Sequence, residues 1–414
     1  MRHLVLRVGP ALLAMLAATM VFAGGDRESA GTTPQAPSGD VDSNPGGGGS
    51  TPAGRRGLVE GGIEPVPGFT TDFSRSIVPG SEIISGGPPK DGIPAIDDPR
   101  FIPVDDVDWL GEDEPVFVVT AGGDTHIYPL QILTYHEIVN DEVGGVPLAV
   151  TYCPLCNTGI VFDRRHDGRV LDFGTTGRLR YSNLLMYDRQ SESWWQQATG
   201  QGVVGRYAGE QLSLHPSLML PWDVASARHA EASVLSRETG YSRAYGSNPY
   251  TGYDTSTRPF LYRGPEVGSQ YNPMARVVQV VVGGESLAVA YPVLEERGLV
   301  QERVGGEPVV VLWEPGTASA LDARSIRSGR DVGSANAFRA IADGEALSFA
   351  PSERANAPER RFVDDETGSV WNASGLAVEG PLAGTQLEPL VGIQHFWFSY
   401  SAFETDAVWE PSGE

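Results

Sequence analysis

The sequence predicts a β-rich α+β fold built as two related, pseudo-symmetric units from an internal duplication. Three observations carry this. Short β-branched and aromatic runs are punctuated throughout by Gly and polar turns. Only a few stretches carry helical spacing, and they do not alternate regularly with strands. The chain also repeats itself in order.

The first 23 residues, MRHLVLRVGPALLAMLAATMVFA, combine a basic start at Arg2 and Arg7, an apolar run and a small-residue exit. They read as a secretory signal peptide, too short and wrongly flanked for a stable span. The expected address is therefore extracytoplasmic, periplasmic or secreted, and no later stretch reaches a membrane-spanning length. Residues 24–68 are rich in Gly, Ser, Thr and Pro and read as a disordered linker, because so few apolar groups cannot offset ordering entropy. The first unit is placed at 69–264 and the second, degenerate one at 265–414. The formal charge of −23 argues against nucleic acid or an anionic membrane surface as partner.

Within the first unit, VFVVTAGGDTHIYPL reads as a hairpin about Gly122-Gly123. QILTYHEIVND has apolar residues at Ile132, Leu133, Tyr135, Ile138 and Val139, a spacing that predicts a helix closing at Asn140-Asp141. Such a helix would place His136 and Asn140 on one face. VPLAVTY and GIVFDR predict strands on either side of the cysteines, VLDFG, LLMYDRQ and SWWQQ further strands, and WDVASARHAEASVL a helix. TGYSRAYGSNPYTGYD (239–254) reads as an ordered loop closing the unit.

The repeat aligns VFVVTAGG (116–123) with VVQVVVGG (277–284), Tyr128-Pro129 with Tyr291-Pro292, and GGVPLAVTY (144–152) with GGEPVVVLW (305–313). SWWQQATGQGVVGRYAGEQL (193–212) answers to SVWNASGLAVEGPLAGTQL (369–387). Trp195 has a counterpart in Trp371 and reads as a core anchor. The chain's two cysteines, Cys153 and Cys156, have none: the second unit carries Glu314 and Thr317 there. It also lacks a histidine in the segment answering to His136. If both units share a fold, the thiols and the imidazole are not needed to build it.

Three chemistries compete for the C-x-x-C pair. Two thiolates and His136 form a soft-donor set suited to zinc or copper, serving metal handling or a metal-assisted reaction on a small molecule. A redox dithiol is the second, although the following NTGIVFDR looks like a turn and strand rather than the helix whose N-terminus lowers a thiol pKa. An inert disulfide in a ligand-binding module is the third; its short loop contributes on the order of 2 kcal/mol. Metal ligation by Cys153, Cys156 and His136 is the leading expectation. The partners expected are a metal ion or a small molecule. Lys90, the only lysine, is a further site candidate, since a compact ammonium shifts its pKa readily.

GGPPKDGIPAID, YPLQILTYHEIVND, TYCPLC, FDRR, NLLMYDRQSESWWQQATG and TGYSRAYGSNPYTGYD occur in this order. With them the chain resembles domain-of-unknown-function family 3179, a family of exported bacterial and archaeal proteins. The resemblance implies a shared fold and an extracytoplasmic address, and supplies no reaction. It places motif residues at Lys90, Asp91, His136, Asn140, Asp141, Cys153, Cys156, Asp163, Arg164, Asp188, Ser193 and Trp195. Of these, Lys90, Asp91, Asp163, Arg164 and Asp188 are candidate catalytic groups. Where relatives read Lys-Ala-Tyr-Pro, this chain has His126-Ile127-Tyr128-Pro129, which argues against an essential cation before the tyrosine unless His126 stands in; where they read Gly-x-Ser-Gly it has Gly174-Thr175-Thr176-Gly177.

Overall fold

β1 (Pro115–Ala121) and β2 (Asp124–Pro129) pair antiparallel about Gly122-Gly123. Both glycines have positive φ, and a Cβ on Gly122 would lie 1.9 Å from the Gly144 carbonyl oxygen, so only Gly fits. α1 (Leu130–His136) follows and stops earlier than its apolar spacing predicts. Glu137 turns left-handed at φ 60° and closes the helix by donating its N–H to the Leu133 carbonyl. Ile138 and Val139, apolar at helical spacing but β-branched, instead begin β3 (Ile138–Val143). His136 and Asn140 therefore share no helix face. β3 pairs with β4 (Val146–Cys153), with Ile138 opposite Thr151, and β4 pairs with β5 (Thr158–Asp163).

β6 (Phe173–Arg180), β7 (Asn183–Asp188) and β8 (Trp194–Gln196) form an antiparallel sheet beside this layer. β9 (Leu218–Pro221) then returns to pair with β1 and runs into α2 (Trp222–Arg228), shorter than predicted. β10 (Ser233–Leu235) lies parallel to β2.

The same succession follows downstream, in β11 (Arg276–Val282), β12 (Glu285–Ala290), α3 (Tyr291–Arg297), β13 (Leu299–Val304) and β14 (Glu307–Glu314). Each lies 161 residues after its counterpart, so Glu137 answers to Gly298 and Cys153 to Glu314. Tyr128 answers to Val289, not to Tyr291, because the Tyr-Pro pairs differ in place: Pro129 precedes its helix and Pro292 lies within the first turn of its own. β15 (Ser334–Arg339) pairs with β14, and β16 (Arg361–Asp364) with β17 (Val370–Asn372). β18 (Val391–Phe396) pairs with β11 and leads into α4 (Trp397–Phe403), and β19 (Ala407–Val408) runs parallel to β12.

The two halves are joined through their sheets. β18 also pairs with β5, Gln394 opposite Gly159, so one sheet runs β19-β12-β11-β18-β5-β4-β3. The core mixes both halves: Val116, Leu220 and Trp222 pack with Val310, Phe338 and Trp371. This computed structural model describes residues 57–352, 361–403 and 407–410. The predicted signal peptide and most of the predicted linker lie outside the described residues. Within the described part of that linker, Ile63 and Val66 pack against Phe73 and Trp194. Among the described residues no helix is long and apolar enough to cross a membrane.

Candidate functional site

Most of the polar residues singled out in the sequence have structural partners. Asp188 is fully buried and accepts from the Ser191 backbone (2.6 Å), the Ser191 hydroxyl (2.8 Å) and Trp195 Nε1 (2.9 Å). Asp364 makes the same clamp with Thr367 and Trp371, whose indole donates at 2.8 Å. A clamp present in both halves belongs to the scaffold. Ser193 receives the Ser191 hydroxyl and its own hydroxyl accepts from the Tyr207 N–H. Arg164 is buried and donates to the carbonyls of Leu171 and Asp141 and to Asp172. Asp163 pairs with the exposed Arg165, which holds its carboxyl below the usual range. Asn140 donates to Asp97 and the Phe173 carbonyl and accepts the Phe173 N–H.

Lys90 bonds Glu192 and the Gly68 carbonyl, with its ammonium 4.6 Å from the Phe69 ring centroid and 4.7 Å from that of Tyr187. It fastens the N-terminal segment onto the body. Asp91, left-handed at φ 54°, accepts from Tyr187 (2.5 Å) and Arg189 (3.2 Å). His126 contacts Asp141 through Nδ1 at 2.7 Å, and Tyr128 donates to the same carboxylate oxygen at 2.5 Å.

His136 is turned to other partners than the sulfurs. Its Nδ1 donates to the Pro94 carbonyl (2.7 Å), which fixes Nε2 as the acceptor of the Tyr245 hydroxyl (2.6 Å). Burial lowers its pKa to about 4, with Arg243 acting in the same direction against the Pro94 bond. Both ring nitrogens of the imidazole are engaged by partners other than the sulfurs. The expected Cys153–Cys156–His136 donor set is thus not assembled, and among the described residues no group of three or more His, Cys, Asp or Glu side chains is placed to hold a metal ion.

The cysteines themselves are brought together. Cys153 ends β4, Cys156 donates its N–H to the Cys153 carbonyl (3.1 Å), and β5 begins two residues later. Cys-Pro-Leu-Cys is therefore a hydrogen-bonded β-turn with Pro at its second position, as the sequence of the following strand led us to expect. Such a turn holds its end Cα atoms within about 7 Å, the span a disulfide requires. Both residues are free thiols, 1% and 0% exposed, and the Cys153 thiol lies 3.9 Å from the Ser182 carbonyl oxygen. Burial, and next the neighbouring Cys156, push the Cys153 thiol up.

The residue that sequence reasoning missed is Glu137. It is 7% exposed, no described residue donates a hydrogen bond to its carboxyl, and burial followed by the adjacent Cys153 raises its pKa well above the usual range. Its carbonyl accepts the Tyr152 N–H at 2.8 Å, which locks it beside the thiol turn. The corresponding Gly298 accepts the Trp313 N–H at 2.9 Å. The backbone position demands left-handed φ in both halves, glycine meets it at no steric cost, and the first half spends that cost on a buried acid. The signal was available in the matched segments of the sequence: a helix end occupied by Gly in the second half and Glu in the first.

Around these groups lie Leu155, Tyr250, Tyr253, Tyr262, Met274, Phe396 and Phe398, drawn from both halves and from the segment between them. The Phe396 N–H donates to the Cys156 carbonyl at 2.7 Å. The family model described as "Protein of unknown function (DUF3179)" matches residues 90–407, most of the chain. The chain belongs to this family. The match spans both halves, the thiol turn and Glu137. Neither a curated protein nor a solved structure matches the chain.

Proposed function

We propose that the chain is an extracytoplasmic thiol–disulfide exchange protein whose Cys153 and Cys156 cycle between dithiol and disulfide. The observation that carries this is the pairing of two free, buried thiols at the two ends of a single β-turn, beside a carboxyl to which no described residue donates a hydrogen bond. The free thiols, and the engagement of both His136 nitrogens by Pro94 and Tyr245, favour this reading over an inert disulfide or a zinc or copper site. The N-terminal sequence supports export, and a compartment that oxidises thiols suits a cycling pair. We also infer that the scaffold arose by duplication. The matched elements, the twin Asp–Trp clamps and the matched helix ends support it, and the second copy retains no thiol.

The exchange balances as follows. The Cys153 thiolate attacks one sulfur of a partner disulfide, forming a mixed disulfide and releasing one partner thiolate. Cys156 then attacks the Cys153 sulfur, closing the intramolecular bond and releasing the second partner thiol. Two electrons and two protons leave the pair, and both are taken up by the partner, whose two sulfurs end as thiols.

Equilibration of the purified chain with glutathione redox buffers, read by alkylation and mass shift, tests this. The expected midpoint lies between about −120 and −270 mV, the range of exchange catalysts. Thiols that stay reduced throughout, or a disulfide that glutathione does not reduce, would overturn it. Uptake of one zinc or copper ion by the reduced chain, without disulfide formation, would favour the metal reading instead.

A further inference from the structure

Resting on that reading, we infer that the thiol pair is covered by a local strap and exchanges with low-molecular-mass disulfides rather than with disulfides of folded proteins. Both sulfurs are buried, so any oxidant needs an opening. The cover is the long connection between β10 and β11, residues 236–275, whose only regular element is a single 3-10 turn at Tyr253–Thr255. Tyr250, Tyr253 and Tyr262 from this connection pack in the same cluster as Cys153 and Cys156.

Its ends and its tip are held very differently. On the N-terminal side, Asn248 bonds Ala323 and Arg324, Gly252 bonds Asp322, and the Tyr253 N–H bonds Leu321. Asp254, with no exposed side-chain surface, is pinned by Arg276, Arg330 and Ser319. On the C-terminal side, the Tyr271 ring packs on Trp397, Met274 is buried beneath, and the Trp397 and Phe398 N–H groups bond Ala275 and Pro273. Between these anchors, residues 255–264 reach the body through few contacts. The Ser182 hydroxyl donates to the Phe260 carbonyl, and the Tyr262 ring lies 5.3 Å from that of Phe398. Tyr253 bridges tip and thiol turn, donating its hydroxyl to the Leu155 carbonyl (2.8 Å) and accepting the Phe260 N–H (3.2 Å).

The Phe260 ring is 52% exposed, so lifting the tip forfeits little apolar burial there. Two fixed ends, at Asp254 and Tyr271, limit the opening to a narrow port. A small disulfide passes through it, and a disulfide carried on a folded surface does not reach sulfurs at the bottom. Tyr253, which bonds to the carbonyl inside the Cys-Pro-Leu-Cys turn, is the latch.

The experiment compares hydroxyethyl disulfide with oxidised thioredoxin as oxidants of the reduced full chain. Each rate is normalised to that with the urea-unfolded chain. The expected normalised rate for the protein disulfide is slower by about tenfold or more, because access is limited to local openings. Tyr253→Phe and Ser182→Ala should each speed oxidation by hydroxyethyl disulfide about fivefold, the worth of one lost hydrogen bond. Equal normalised rates for the two oxidants, or latch variants without acceleration, would overturn the gating. If neither oxidant closes the disulfide even at equilibrium, the exchange function itself fails, a separate outcome.

Discussion

Replacing Glu137 by Gly is expected to make the protein more stable while impairing the thiol pair. Glu137 adopts φ 60° and ψ −28°, where its counterpart Gly298 adopts φ 82° and ψ −33°. Relief of a left-handed non-glycine residue contributes about 1 kcal/mol, the lower end for such outliers. Removing a carboxyl to which no described residue donates, on a residue 7% exposed, contributes at most about 1–3 kcal/mol more. Against this, glycine in the unfolded chain costs about 0.5–1 kcal/mol and the two lost methylenes about 0.8 kcal/mol each. These figures run from a loss of about 0.6 to a gain of about 1.9 kcal/mol and centre on a stabilisation of about 0.7 kcal/mol. Urea unfolding of the reduced proteins at neutral pH measures it, as an increase in midpoint with an unchanged slope. The mirror substitution Gly298→Glu imposes the same strain and should destabilise by about 1–2 kcal/mol. A loss of 1 kcal/mol or more in Glu137→Gly would refute the reasoning, because the acid would then be holding the fold.

Three further outcomes are expected. Trp195→Phe and Trp371→Phe should each cost about 1–3 kcal/mol in urea unfolding, since each leaves the same buried aspartate oxygen without its indole donor; costs differing by more than about 2 kcal/mol would deny the equivalence of the clamps. Lys90→Met removes the ammonium between Glu192, Phe69 and Tyr187, and should expose residues 57–78 to limited proteolysis while leaving fragments from 79 onward resistant; an unchanged digestion pattern argues against the fastening role. His395 is fully buried between Thr158 (3.0 Å) and Gln279 (3.1 Å), and burial lowers its pKa from 6.5 to about 3. The unfolded chain therefore binds the proton first. Stability from this group is complete above pH 6.5 and lost as pH falls toward 3, by up to about 1.4 kcal/mol per unit. His395→Gln should flatten that slope relative to wild type in urea titrations between pH 7 and 4.5; an identical slope would place the histidine's titration elsewhere.

Much of the fold was legible because it rests on local rules. The hairpin at Gly122-Gly123 follows from turn chemistry, and the strands around the cysteines follow from β-branched runs bounded by turns. The helix at 130–136 was legible but its end was not. Ile138 and Val139 satisfy both a helical and a strand pattern, and the choice is made at Glu137, whose left-handed φ no periodicity reports. Polar motif residues misled in a consistent way. Asp188, Arg164 and Asn140 look like chemistry in sequence because they are charged or amidic and closely spaced. Once buried, each needs hydrogen-bond partners, and many of these are backbone groups that sequence patterns do not reveal. His136 misled over a longer range, since its decisive partner, Tyr245, is 109 residues away.

Comparing the halves reverses the usual order of inference. A motif shared by both, such as the aspartate–tryptophan clamp, is what this scaffold needs in order to fold twice. Functional residues are better sought where one half departs from the other at a cost. Cys153 and Cys156 stand where the second half has Glu314 and Thr317, and Glu137 where it has the unstrained Gly298. All three departures fall at one place, two at the ends of a single turn and the third bonded through its carbonyl to the residue preceding Cys153. Folding alone does not ask for a strained acid next to two sulfurs, because the other half does without each of them. The coincidence of strain, burial and a missing structural partner is what separates this cluster from the many better-bonded charges around it.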